Sequence, residues 1–170
     1  TAKQCYINNP NKYNRYALVE VVNIHDSALD FEPIYRAVFA DKPKQVISDF
    51  IAWCGGEDNG ADAQKFTCVL KDEKFDISVK PKAWLPVETL QVFLDEYMNT
   101  NSDVKIDYIH GVDSLTKIAE RENGVGFLFD GISKDTLFEA VRQGGSLPRK
   151  TFSMGHADDK RFYLEARRIK

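Results

Sequence analysis

The stretch VKIDYIHGVDSLTKIAERENGVGFLFDGISKDTLFEAVRQGG, residues 104–145, decides the fold. It opens on the β-type run VKIDYI, passes into the helical pattern DSLTKIAERENG, returns to the apolar run VGFLFD and closes on the helical pattern SKDTLFEAVRQGG. Asp113 and Ser133 are N-cap candidates, because a short side-chain oxygen accepts an orphan N–H of a first helical turn. Gly124 and Gly144 follow the two helices, where a left-handed residue is wanted. Strand–helix–strand–helix order predicts parallel strands with helical crossovers, since parallel neighbours need a long return connection.

Working outward, RYALVEVVNIHD is rich in β-branched residues from Leu18 to Ile24 and stops at the turn-forming His25-Asp26-Ser27, which predicts a well-buried strand over Tyr16–Ile24. In LDFEPIYRAVF, Pro33 disfavours an uninterrupted central strand, so only a short extended piece ending near Phe39 is expected. Next comes an amphipathic helix: Asp41 can cap, Pro43 suits the first turn, and Val46, Ile47, Phe50, Ile51 and Trp53-Cys54 recur at helical spacing up to Gly55-Gly56. GGEDNGADAQ reads as a loop, and KFTCVLKDEKFDISVK as a β-hairpin around Asp72-Glu73-Lys74. LPVETLQVFLDEYMNT sets Val87, Leu90, Phe93, Leu94 and Tyr97 on one helical face, with Pro86 near its start.

RFYLEARRI, near the end, alternates as a half-buried strand, and TAKQCYINN reads as the tail of a helix. Thr1 in place of Met suggests a region upstream. The expectation is one α+β (mixed α/β) domain over residues 1–170, with one mixed sheet and about four helices, forming the C-terminal fragment of a longer protein whose N-terminal domain is absent.

The 23 basic and 26 acidic residues give a formal net charge of −3, which creates no general field for nucleic acid or anionic lipid. No apolar run approaches the roughly 20 residues that cross a bilayer, and the start lacks a signal-peptide layout, so a cytoplasmic protein is expected. Cys5, Cys54 and Cys68 are widely spaced, without metal-ligand spacing, and read as reduced structural thiols.

No Walker loop, nucleophile elbow, zinc spacing or EF-hand loop is present. His25 and His110 stand at the C-terminal ends of predicted strands, where ligands of open sheets with parallel strands bind. Each has a carboxylate nearby in sequence, Asp26 or Asp113, that suits an acid/base pair, and the same residues also suit turns and caps. Glu32 and Arg36 flank PIY as a ligand-binding or structural pair. In LPRKTFSMG, residues 147–155, Arg149 and Lys150 adjoin Thr151 and Ser153, a composition able to grip phosphate through charge-assisted hydrogen bonds. Pro148 and Phe152 replace the glycines of a phosphate loop, so an extended connector fits the same residues.

RYALVEVVNIHDSALDFEPIYR, DYIHGVD and GVGFLFDGISKDTLFEAVRQGGSLPRKTFSMGHADDKRFYLEARRI together resemble the C-terminal half of the bacterial and archaeal family called domain of unknown function 1015, over Thr1 to Ile169. The resemblance implies a longer protein with an Asp-Gly-Asn/His-His-type loop just upstream of TAK. That loop is similar to one in ParB-like and free-serine-kinase folds, which implies nucleotide-dependent phosphoryl transfer. This chain would then wall a pocket for a small phosphorylated metabolite or nucleotide, with Mg, beside an upstream domain that carries the main catalytic loop. Arg36, Arg149, Lys150, Thr151 and Ser153 would contact the anion and His25 and His110 would serve as acid/base or orienting groups. The alternative is a non-catalytic structural or homodimerisation domain. Tyr35 stands where relatives often carry His, and a phenol is a poor base near neutral pH.

Overall fold

The computed structural model describes residues 2–11, 16, 17, 19, 21–121 and 123–155. Its elements in chain order are α1 (Ala2–Asn8), β1 (Phe31–Phe39), α2 (Pro43–Cys54), β2 (Gln64–Val69), β3 (Lys74–Val79), α3 (Pro86–Thr100), β4 (Lys105–His110), α4 (Val112–Ala119), β5 (Gly124–Phe129), α5 (Leu137–Gly144) and β6 (Phe152–Met154). The six strands form one sheet in the order β3-β2-β5-β1-β4, with β6 also paired to β1, so the fold is α+β.

Every strand pair is antiparallel, which corrects the expected parallel neighbours. β4 and β5 do run in the same direction and α4 does cross between them. β1, from far upstream, lies between the two and pairs with both, Arg36 against Tyr108 on one side and Phe127 on the other. Sequence order fixed the direction of these strands and the connecting helix, but not the strand inserted between them.

β1 is therefore a nine-residue strand with neighbours on both sides, and not a short extended piece. Pro33 is tolerated because of where it falls. At Phe31–Pro33 the strand pairs β6, and the β4 and β5 ladders begin only at Ile34 and Arg36. Ile34 N–H donates to Thr151 O, so the alternating backbone turns the Pro33 nitrogen to the opposite edge, where no ladder bond is lost.

The strand expected at Tyr16–Ile24 is a second correction. None of its described residues is a strand, and Val21 is 87% exposed. β-branched composition needs a partner edge to become a strand, and β4, β5 and β6 occupy the edges of β1. The RFYLEARRI segment lies outside the described residues.

Alternation along the strands divides two layers. Val38, Phe66, Phe127 and Val125 pack with Phe50 of α2 and Leu90, Phe93 and Leu94 of α3 in the main core. Ala37 and Ile109 pack with Leu115 of α4 in a smaller cluster on the other face. At about 25 cal/mol per Å², a fully buried Phe or Leu contributes roughly 1.5–3 kcal/mol, so the α2/α3 layer carries most of the stability.

Local signals placed most boundaries. α2 opens on Pro43 and stops at Gly55, though its cap position is Lys42 and not Asp41. The hairpin pairs Gln64 with Val79 through Val69 with Lys74, and Leu70 N–H to Glu73 O closes its turn. Two expected helix ends shift by one residue: Asn123 and Gly145, not Gly124 and Gly144, adopt positive φ. Gly124 is glycine for space instead, since a Cβ there would lie 2.9 Å from Ala119 O. Asp113 falls inside the first turn of α4, whose cap is Gly111, and Ser133 Oγ accepts the N–H of Thr136, the cap residue of α5.

Candidate functional site

β4 ends at His110 and β5 at Phe129, and β1 runs antiparallel between them, so both strand C-termini lie at the end of the sheet where β1 begins. Gly111, at φ 88, turns the chain from β4 straight into α4, a backbone angle that L side chains rarely adopt.

At this end Glu32 Oε2 meets His110 Nε2 in a hydrogen-bonded ion-pair contact, with both side chains about three-quarters buried. Sequence spacing had set Glu32 beside Arg36 and His110 beside Asp113; the sheet pairs Glu32 with His110 instead. Alternation puts Glu32 and Ile34 on opposite sides of one residue, and Ile34 lies directly across from His110, so the carboxylate and the imidazole are diagonal neighbours on one face. Tyr35 stands close by. Burial pushes its hydroxyl above the ordinary phenol range, and the Asp130 and Glu32 carboxylates push it the same way, so it is a neutral donor and not a base near pH 7.

His25 is exposed on a turn in which its N–H donates to Asn23 Oδ1 and Ala28 N–H donates to Asp26 Oδ1. Asp26 orients that turn and not the His25 ring. Lys134 Nζ donates to Asp26 O, at 2.6 Å, and ties the turn to the segment after β5.

The second group of site residues forms around Arg36, which is fully buried. Its Nε donates to Gln91 Oε1 at 2.9 Å, Nη1 to Ile34 O and to Lys150 O at 3.0 Å, and Nη2 to Arg149 O at 3.1 Å. The Tyr108 ring lies 4.7 Å from the guanidinium carbon and supplies a cation–π contact. Burial lowers its pKa to about 10; Tyr108 and Asp95 oppose that shift and Arg149 adds to it. The cation stays protonated at neutral pH.

Arg36 thus directs four donor contacts to protein oxygens, and LPRKTFSMG is the segment that receives two of them. Thr151 Oγ1 donates to Pro148 O, and Ser153 is buried in β6 opposite Glu32. Lys150 is exposed at φ 55 and Arg149 is exposed, its Nη2 donating to Asp95 Oδ1 at 2.8 Å. The segment is a strap around a buried guanidinium, with its two cationic side chains turned outward. Gln91 and Asp95 were not foreseen as members of this network. The available signal was Gln91 beside Leu90 on a helix, a polar residue adjoining the apolar face, and it is 3% exposed.

Among the described residues no group of three or more His, Cys, Asp and Glu could hold a metal ion, and no helix is long and apolar enough to cross a membrane.

No protein-family model matches the chain, and no curated protein matches it. Two solved structures share the fold. One is a conserved hypothetical protein from Pyrococcus furiosus, with a TM-score of 0.56 and 20% identity over 79% of this chain and 60% of that one. The other is a free serine kinase solved as a point mutant in complex with AMP, with a TM-score of 0.55 and 18% identity over 79% of this chain and 57% of that one. The chain therefore spans less than two thirds of the length of either.

Proposed function

We propose that this chain forms the pocket wall of a nucleotide-dependent phosphotransfer enzyme related to the domain of unknown function 1015 family, acting on a small hydroxyl-bearing metabolite. The carrying observation is the Glu32–His110 pair, a carboxylate set on an imidazole at the end of the sheet where β4 and β5 terminate. Its support is the fold shared with a free serine kinase bound to AMP.

In this reading His110 receives the proton of the attacking hydroxyl, and Glu32 holds the imidazole in place as it becomes charged. Arg149 and Lys150 meet the phosphate groups. Arg36 touches no ligand and acts as a positioning residue, since it clamps the backbone from which both cations project. The main catalytic loop belongs to an upstream part of the protein. A nucleotide would bring Mg²⁺ on its own phosphates, an ion that commonly needs only one or two protein carboxylates, and Asp130 is the exposed carboxylate after β5.

Calorimetric titration of the longer protein with MgATP, MgADP and AMP tests the reading, followed by a phosphotransfer assay with L-serine. Micromolar binding that weakens in Lys150→Ala, and phosphotransfer that falls about 100-fold or more in His110→Gln, are expected. Absence of nucleotide binding, or unaltered transfer by His110→Gln, overturns it.

A further inference from the structure

A cavity of about 520 Å³ opens between α3, α5, the turn before α3 and Pro148 at the start of the strap. Its charged lining residues are two carboxylates, Glu88 and Asp95, and Trp84 and Val92 supply apolar wall. Glu88 is 7% exposed, a depth at which polar groups are almost always paired. Its Oε2 accepts Leu85 N–H at 3.0 Å, whereas Oε1 has no hydrogen-bond partner among the described residues. Oε1 points to Gly144 on α5, where an added Cβ would come within 3.0 Å of it. The missing side chain at Gly144 leaves that oxygen open to the cavity.

The neighbouring groups are fixed in advance. Gln64 Nε2 donates to Ala83 O and Trp84 O, and Thr89 Oγ1 accepts the N–H groups of Lys82 and Ala83. These bonds hold the turn that presents the Trp84 side chain, which is 53% exposed and lines the cavity. Asp95 accepts Arg149 and Gln91 through Oδ1, so the Arg149 guanidinium offsets its charge and Glu88 is the carboxylate of the lining with no cation beside it among the described residues.

We infer that this cavity is a binding site for a primary ammonium group, carried by a small organic amine or by the amino group of an amino acid. A carboxylate oxygen that opens to the cavity and has no donor among the described residues is complemented by a primary ammonium group, which has three donors in a compact head. The indole face attracts the same charge, and the apolar wall takes the carbon chain. Two carboxylates and an apolar wall do not supply the six or more oxygens a calcium ion requires. The inference rests on Glu88, Trp84 and Gly144, and holds whether or not the Glu32–His110 pair serves phosphate transfer.

The test is a titration of the ¹⁵N-labelled chain with n-propylammonium chloride, using sodium propionate as the anion of matched size. The Trp84 indole and Gly144 amide signals should shift and saturate with the amine and not with propionate. The Trp53 indole, whose N–H already donates to Glu96 Oε2, should stay still. Glu88→Gln retains an acceptor for Leu85 N–H and removes the charge, and should weaken the amine about tenfold or more. Gly144→Ala narrows the opening without changing any charge, should weaken it likewise, and decides the matter where Glu88→Gln does not fold. No saturable shift, an equal response to propionate, or unchanged affinity in the folded variants overturns the inference.

Discussion

The Arg36 guanidinium on β1 is held by Gln91 on α3 at 2.9 Å, and Gln91 in turn donates from Nε2 to Asp95 at 2.8 Å. Among the described residues no carboxylate bonds the buried cation directly; the negative charge reaches it through an amide, and its acceptors are four neutral oxygens that each lose a charged donor on its removal. Arg36→Ala should therefore cost about 2–4 kcal/mol in urea denaturation, and Arg36→Lys should recover only part, because one ammonium cannot match a planar fork. Faster amide exchange at Ile34, whose N–H donates to Thr151 O, should accompany the loss as the strap loosens. A variant as stable as the parent, with Ile34 still protected, would show that the clamp is not structural.

The thiols set a basic limit to stability. Burial pushes Cys54 up to about 11 and Cys68 to about 12, from an ordinary 9.0. A folded-state value above the unfolded one means that stability is fully present below about pH 9 and declines as pH rises through 11 and 12. Tyr35 and Tyr97, also raised, act with the same sign. Arg36 opposes them, since its lowered value makes the fold gain stability as pH rises above about 10. At pH near 8 a disulfide reagent should modify exposed Cys5 promptly, with Cys54 and Cys68 reacting only on unfolding. Prompt modification of all three in the native state would contradict the burial.

Gly124→Ala should destabilise by about 2–3 kcal/mol, because the added carbon meets the backbone oxygen of Ala119 at 2.9 Å, and backbone cannot rotate away. Gly60→Ala meets only the Asp58 side chain, at 3.2 Å, and should stay within about 0.5 kcal/mol. Thermal melts of both give the comparison, and equal shifts would refute it.

For His110, contact with Glu32 at Nε2 fixes which ring nitrogen carries the proton in the neutral form. Long-range ¹H–¹⁵N spectra should show the Nε2–H tautomer, and Glu32→Gln should loosen that preference. An Nδ1–H ring in the parent would place the carboxylate contact in doubt.

Much of the architecture was legible because its signals are local. Pro43, the apolar spacing from Val46 to Cys54, and Gly55 mark α2 without reference to any other element. The roles of β1 and of Tyr16–Ile24 were exchanged because both segments look like strands, and only pairing with residues 66 or more positions away makes one of them central. The site was half legible. His110 at a strand end and the cations of LPRKTFSMG could be named, but Glu32 meets His110 only once β4 is laid beside β1. Arg36 read as the ligand-binding or structural partner of Glu32, and its full burial was not legible because charged residues are seldom fully buried. Its burial depends on Gln91, 55 residues on, and on carbonyls more than 110 residues on.

The inserted position of β1 also bears on how the chain is made. A ribosome releases β1 before α2, the hairpin and α3, yet β1 finds its first neighbour in β4 and its second in β5. Until residue 110 has left the exit tunnel Ile34–Phe39 has neither ladder, and until residue 129 has followed it has one. Over that stretch of synthesis the nascent chain must keep its future centre from other edges, which makes β1 a segment where chaperone binding matters.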